Sequence, residues 1–271
     1  MRIVRVVLAF TALLAFTVVR PPPGSSQNVE PIECEDGNVL TGSYADVLVN
    51  GSSCTLDGAT VYGSVLVDGG TVTTTDNGAS ISAGVKVTSG GDITLTAVSV
   101  SGAISLEQSG SLVVDGNSTV AGISMKESGD LTIGTFASSG EVLVEKSGDV
   151  DVNGSVASIL SKESGGIRLT DARVFPGGVT MALSSGALEI CGTEIGVNSD
   201  TQTDGSGGVY VLEGGDVLAV ADESCSPSEI QGAVIVKKGT GDVRFAGAAL
   251  NSDLIVSEQV GHVEVDGSGC D

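Results

Sequence analysis

The sequence predicts an all-β fold, a single-stranded parallel β-helix (β-solenoid) of about eleven coils. Three observations carry this. A glycine followed by apolar residues at its second and fourth positions recurs with a period near 20. Strict apolar/polar alternation around each copy marks strands with one buried face. Beyond the first 20 residues, no segment offers the ten or more residues of 3.6-period pattern that a helix needs. Composition agrees: 40 glycines in 271 residues disfavour helix, only six prolines disfavour proline-rich disorder, and 41% hydrophobic content with 3% aromatics makes any core aliphatic.

The repeat begins at Gly70 and recurs at Gly91, Gly110, Gly129, Gly148, Gly165, Gly186, Gly215, Gly241 and Gly261, at spacings of 21, 19, 19, 19, 17, 21, 29, 26 and 20. A period near 20 means stacked coils. Shortly before most of these glycines lies a second apolar pair, as in Val85/Val87, Ile104/Leu106, Ile123/Met125, Val142/Val144 and Val209/Val211. Val98, Val120, Phe136, Val156 and Val174 are expected to supply a third inward strand. At roughly 4.8 Å per coil the rod is about 50 Å long. The irregular spacing favours a right-handed helix over the rigid six-residue sub-repeat of left-handed forms.

Stacking turns sequence equivalence into contact. Ser109, Ser128, Ser147, Ser164 and Ser185 precede the glycines and predict a hydroxyl ladder. Glu107, Lys126, Glu145 and Lys162 alternate in sign one column away, beside Gln108, Glu127, Lys146 and Glu163. Opposite charges stacked on neighbouring strands fix the register, because slippage by one coil sets like against like.

Residues 1–26 read as a secretory signal peptide: two arginines, an apolar stretch over 6–19, then Arg20, three prolines and small residues. That stretch spans about 21 Å as a helix, short of a bilayer core of about 30 Å, so no stable membrane span is expected. Residues 27–38 form an N-terminal linker or cap, 39–266 the β-helix, and 267–271 a C-terminal tail. Excluding the leader, nine basic residues face 34 acidic ones, a net charge of −25. That field excludes nucleic acid and anionic lipid as partners. Secretion makes the five cysteines disulfide candidates, with Cys34–Cys54 one coil apart, Cys191–Cys225 bridging two inserts, and Cys270 left over unless it takes Cys225.

The coil length, glycine-flanked corners and inward aliphatic rows over about 39–266 resemble the secreted right-handed parallel β-helix superfamily of pectate-lyase-like enzymes, adhesins and passenger domains. The resemblance implies fold more than function, because no catalytic motif of those enzymes is matched.

Four groups of residues are candidate sites. On the last two coils Asp242, Arg244, His262 and Glu264 point outward, with His262 beside Asp242; these could serve acid/base chemistry or be two ion pairs capping the rod. Asp149 and Asp151 share a face at a separation compatible with a two-carboxylate glycosidase, but Arg168 beside Asp151 and Glu189 beyond it argue for a salt ladder. The long spacings insert lateral loops at 191–208 and 222–232, expected side by side at one corner, where Glu194, Asp200, Asp204, Asp222, Glu223 and Glu229 form an acidic shelf suited to calcium. Asn50, Asn117 and Asn153 begin glycosylation sequons near strand ends. Threonines at 71, 73, 94 and 132 point outward, but acidic and basic residues interrupt their columns, so an ice-binding array is not expected.

The expected function is therefore that of a secreted, acidic, non-enzymatic structural or surface-interaction β-solenoid of the extracellular space. Its partners would be an extracellular surface, matrix or polysaccharide, with the 191–232 shelf as contact region, calcium as the only cofactor considered, and end-to-end self-association open to its terminal coils. The alternative is a polysaccharide-active lyase or glycoside hydrolase of pectate-lyase-like type; its aromatic sugar platforms would have to come from Tyr44, Tyr62, Phe136, Phe175, Tyr210 and Phe245.

Overall fold

In a computed structural model of the chain, residues 30–198, 203–204, 207–221, 225–238, 240–258 and 260–266 are described. They form an all-β parallel solenoid with three ladders running its length. The second ladder contains twelve strands, from Asn38–Leu40 to Val263–Asp266, so there are twelve windings and not eleven. Ten of them carry the repeat glycine, and the other two, Asn38–Leu40 and Ser53–Leu56, lack it. Within 27–38, expected as a linker or cap, Ile32–Glu33 pairs in parallel with Val47–Asn50. Among the described residues no helix is long and apolar enough to cross a membrane.

The inward rows follow the sequence periodicity. Val85, Ile104, Ile123, Val142, Ile159 and Val179 are consecutive partners on the first ladder, and each is at most 3% exposed. Ile93, Leu112, Leu131, Val150 and Ile167 do the same on the second. Val98, Val120, Val156 and Val174 point inward on the third, as expected. Phe136 does not. It is 80% exposed, and the inward place between Val120 and Val156 is taken by the buried Ser139. The cause is a turn: the Ala137 N–H donates to the Gly134 carbonyl at 3.2 Å, placing Phe136 at its third position with φ +64°.

The first corner is built on left-handed residues, glycine at Gly51 and Gly69 and non-glycine in the later coils. Ser89, Gln108, Glu127, Lys146, Glu163, Leu183, Glu213, Lys238 and Glu258 all have φ between +50° and +65°. The next residue satisfies the corner's backbone. Ser128, Ser147 and Ser164 each donate their hydroxyl to the carbonyl two residues back, at 2.9–3.0 Å. Each also accepts the N–H of the equivalent serine one coil earlier, at 3.5 Å for Ser109 to Ser128, 3.1 Å for Ser128 to Ser147 and 3.3 Å for Ser147 to Ser164. The ladder continues through Ser184, which repeats the bond to a carbonyl two residues back. The expected member, Ser185, lies one residue later, because the ninth coil carries one extra residue before its repeat glycine.

The repeat glycines are required by close approach. Asp92 Oδ1 accepts the Ser111 N–H at 2.8 Å, Asp130 that of Asp149 at 2.9 Å, Asp149 that of Gly166 at 2.7 Å, and Asp216 that of Asp242 at 2.9 Å. In each case the carboxylate lies where a Cβ would stand on the glycine above it: Gly110, Gly148, Gly165 and Gly241. The Gly-Asp dipeptide is thus an inter-coil device. The Asp caps the next winding, and the next winding's glycine makes room.

Two disulfides fasten the scaffold: Cys34–Cys54 joins the first two coils and Cys191–Cys225 joins the ninth and tenth. Cys270 lies outside the described residues. The two lateral inserts leave from different corners, contrary to expectation. The first forms an antiparallel pair, Val197–Asn198 with Thr203–Asp204, after the third-ladder strand Glu194–Ile195. The second falls between Val217–Val220 and the third-ladder strand Glu229–Ile230. Their sequence positions differ by one strand within the coil, which spacing alone conceals.

Candidate functional site

An open groove crosses the sixth to ninth coils, wrapping from the second ladder around the second corner. It consists of three adjoining cavities. The largest, about 560 Å³, is lined by Phe136, Asn153, Asp171, Arg173 and Glu194 among others. The next, about 360 Å³, shares Thr135 and Asn153 with it and adds Thr132, Asp151 and Arg168. The third, about 200 Å³, shares Asp151 and Arg168 and adds Asp149 and Glu189. The groove exists because corner length changes here. The sixth coil turns through Gly134, Thr135, Phe136 and Ala137, whereas Asn153 and Gly154 suffice in the seventh. A Cβ on Gly154 would run into the Gly134 and Ala137 carbonyls, so the wide corner sits directly against the narrow one.

At the second-ladder end, Asp151, Arg168 and Glu189 are consecutive partners across three coils. Arg168 Nε donates to Glu189 Oε2 at 2.8 Å, and Arg168 Nη1 lies 3.8 Å from Asp151 Oδ1. The hydrogen bond to Glu189, then the charges of Glu189 and Asp151, raise the Arg168 pKa further above its usual value. All three side chains are about half exposed. Asp149 lines the same cavity as Asp151, and its Oδ1 accepts the Gly166 N–H. Asp151, Arg168 and Glu189 form a salt ladder, a geometry that contributes about 0–1 kcal/mol per pair.

The last two coils resolve similarly. Arg244 Nε and Glu264 Oε2 are 3.1 Å apart. Asp242 does meet His262, but through the peptide: Asp242 Oδ1 accepts the His262 backbone N–H at 2.8 Å. This contact is the Gly-Asp cap, since His262 follows Gly261 at the position the aspartates fill elsewhere.

On the acidic shelf, Glu194 lies between Arg173 and Glu229 on the third ladder. Arg173 Nε donates to Glu194 Oε2 at 3.2 Å. Glu229 Oε1 accepts from Gln231 Nε2 at 2.7 Å and Asn251 Nδ2 at 2.8 Å. These donors relieve the stacking of two like charges. Asp200, Asp222 and Glu223 lie outside the described residues, and only the backbone pairing of Asp204 with Val197 is described. Among the described residues no three His, Cys, Asp or Glu side chains are grouped to hold a metal ion.

The charge columns stack as the sequence predicts, Glu107 to Lys126 to Glu145 to Lys162, with Glu145 and Lys162 3.9 Å apart. Thr73, Thr94 and Thr132 share one outward column, interrupted by Val113 and then Asp151 and Arg168. Sequence reasoning missed an apolar outward row on the first ladder: Leu143, Leu160, Thr180, Tyr210, Ile235 and Ile255 are consecutive partners. The signal was present as a third apolar residue between the inward pair, in Val142-Leu143-Val144 and Val234-Ile235-Val236.

Fold and surface together define the class: a parallel β-solenoid whose outward charges are largely engaged between coils. No protein-family model matches the chain, and neither a curated protein nor a solved structure shows significant similarity to it.

Proposed function

We propose that the protein is a secreted, acidic, non-enzymatic β-solenoid, a rigid rod that works as a structural and surface-interaction module of the extracellular space. The observation that carries this reading is the use to which its chemistry-bearing side chains are put. Asp149, Asp242 and their equivalents cap the next winding's backbone, and Arg168, Arg173, Arg244 and Lys162 pair with carboxylates on neighbouring coils. Such contacts hold a rod in register. The two disulfides suit an oxidising compartment. The row Leu143, Leu160, Thr180, Tyr210, Ile235 and Ile255 gives the rod a flat, partly apolar face that pairing does not consume, the kind of surface that marks contact sites.

The test sets the secreted protein against uronic-acid and neutral polysaccharides and protein-coated matrices, with and without calcium. Retention on one of these surfaces without release of new chain ends is expected, weakened by Leu160→Glu with Ile235→Glu. Turnover abolished by His262→Ala or Asp149→Asn would overturn the reading in favour of the polysaccharide-active enzyme, and retention on none of the surfaces would count against an interaction module.

A further inference from the structure

We propose that Asn153 carries an N-linked glycan whose first sugar lies on the ring of Phe136. This inference rests on the secreted part of the preceding reading and on no other part of it.

Phe136 is exceptional in its exposure: it is 80% exposed, in a chain with 3% aromatics, at a left-handed turn position of a kind that eleven other non-glycine residues also occupy. An aromatic ring held in water offers a flat apolar face to a ligand. Asn153 lines the same 560 Å³ cavity, one coil away. It is exposed and begins the sequon Asn153-Gly154-Ser155.

The three sequons differ in what a glycan would disturb. The Asn50 amide donates to Glu33 at 2.8 Å, and the Ser52 hydroxyl of that sequon donates to the Cys34 carbonyl at 2.7 Å. In the Asn117 sequon the central Ser118 is fully buried, and Thr119 accepts a hydrogen bond from Ser138 at 3.3 Å. No other described residue engages the side chains of Asn153 or Ser155. Attachment there breaks no side-chain hydrogen bond among the described residues.

The cavity suits a neutral pyranose ring. Phe136 offers a flat apolar face for the sugar's C–H surface, while the Asn153 corner, Asp171 and the Arg173–Glu194 pair supply polar edges for its hydroxyl and acetamido groups. The chain's net charge of −22 repels an acidic sugar, which favours the uncharged N-acetylglucosamine that begins an N-linked glycan.

The test is secretion of the full chain from a glycosylating eukaryotic host behind a heterologous leader, so that it does not depend on residues 1–26. Site-specific glycopeptide masses give occupancy. Melting temperature is then compared for the whole glycan, for a single N-acetylglucosamine left by an endoglycosidase, and for the unglycosylated Ser155→Ala protein, each with Phe136 and with Phe136→Ala. Asn153 should be occupied and one sugar should suffice. Loss of that sugar should lower the melting temperature by about 2–4 °C with Phe136 present, and hardly at all with Phe136→Ala. A bare Asn153, or an equal drop in both backgrounds, would overturn the proposal. So would free chitobiose restoring the stability of Ser155→Ala, which would assign the groove to an exogenous sugar. Retention of the native-leader protein inside the cell would count against secretion and leave the seating of the sugar standing.

Discussion

The Asp149 carboxylate accepts the backbone N–H of Gly166 from the next coil at 2.7 Å, and it occupies the place a Cβ on Gly165 would take. One contact thus explains both halves of the recurring Gly-Asp pair. Asp149→Ala removes the acceptor and should cost about 1–2 kcal/mol, while Asp149→Asn, which retains one, should cost less. Gly165→Ala should destabilise by forcing the carboxylate aside. Because the two share one space, the double variant Asp149→Ala with Gly165→Ala should lose less than the two single losses combined. Denaturant midpoints of the four proteins measure this coupling, and strict additivity would refute the shared-space account.

Ser161 takes an inward place between Val144 and Met181, fully buried, and its hydroxyl has no partner. A buried unsatisfied hydroxyl costs about 1–3 kcal/mol. Ser161→Ala should therefore raise stability by about 1 kcal/mol, and thermal unfolding reads it directly. A lower melting temperature would mean that the hydroxyl is satisfied in solution.

Phe136 stands at φ +64° in the turn closed by Ala137 and Gly134. Glycine adopts that conformation without steric cost, so Phe136→Gly in the unglycosylated protein should stabilise by about 1 kcal/mol. The gain would show that the aromatic is held there against the preference of its own backbone.

Asp57 accepts hydrogen bonds from the Thr75 hydroxyl and the Asn77 amide of the next coil. These bonds, that from Thr75 foremost, lower its pKa below the ordinary aspartate value. A depressed folded-state pKa gives stability that is present above the unfolded-state value and lost as pH falls through the folded one. The acid limb of a melting-temperature profile, below about pH 4, should accordingly be less steep in Asp57→Asn than in the wild type.

The sites show where one-dimensional reasoning stops. Asp242 and His262 are in register, yet the contact runs to a peptide N–H; register reports which residues are neighbours and leaves open which atoms meet. The pairing of Arg168 with Glu189 was legible, because both sit at outward positions of adjacent strands. The groove was not. It arises from a four-residue corner stacked on a two-residue one, and the drop in repeat spacing from 19 to 17 records the difference without saying which side of the coil it falls on.

By itself the sequence determined the solenoid, its inward rows and its charge columns, because a stacked repeat turns equal position in the period into adjacency in space; the pairing of Cys191 with Cys225 came from the structure. Only the tertiary structure decided that Phe136 faces water while Ser139 takes the inward place, that Ser184 continues the hydroxyl ladder in place of Ser185, and that the lateral inserts leave from different corners. Those outcomes depend on how many residues each corner absorbs and on the sign of φ within it. Alternating hydropathy constrains strands, and it says nothing about the turns between them.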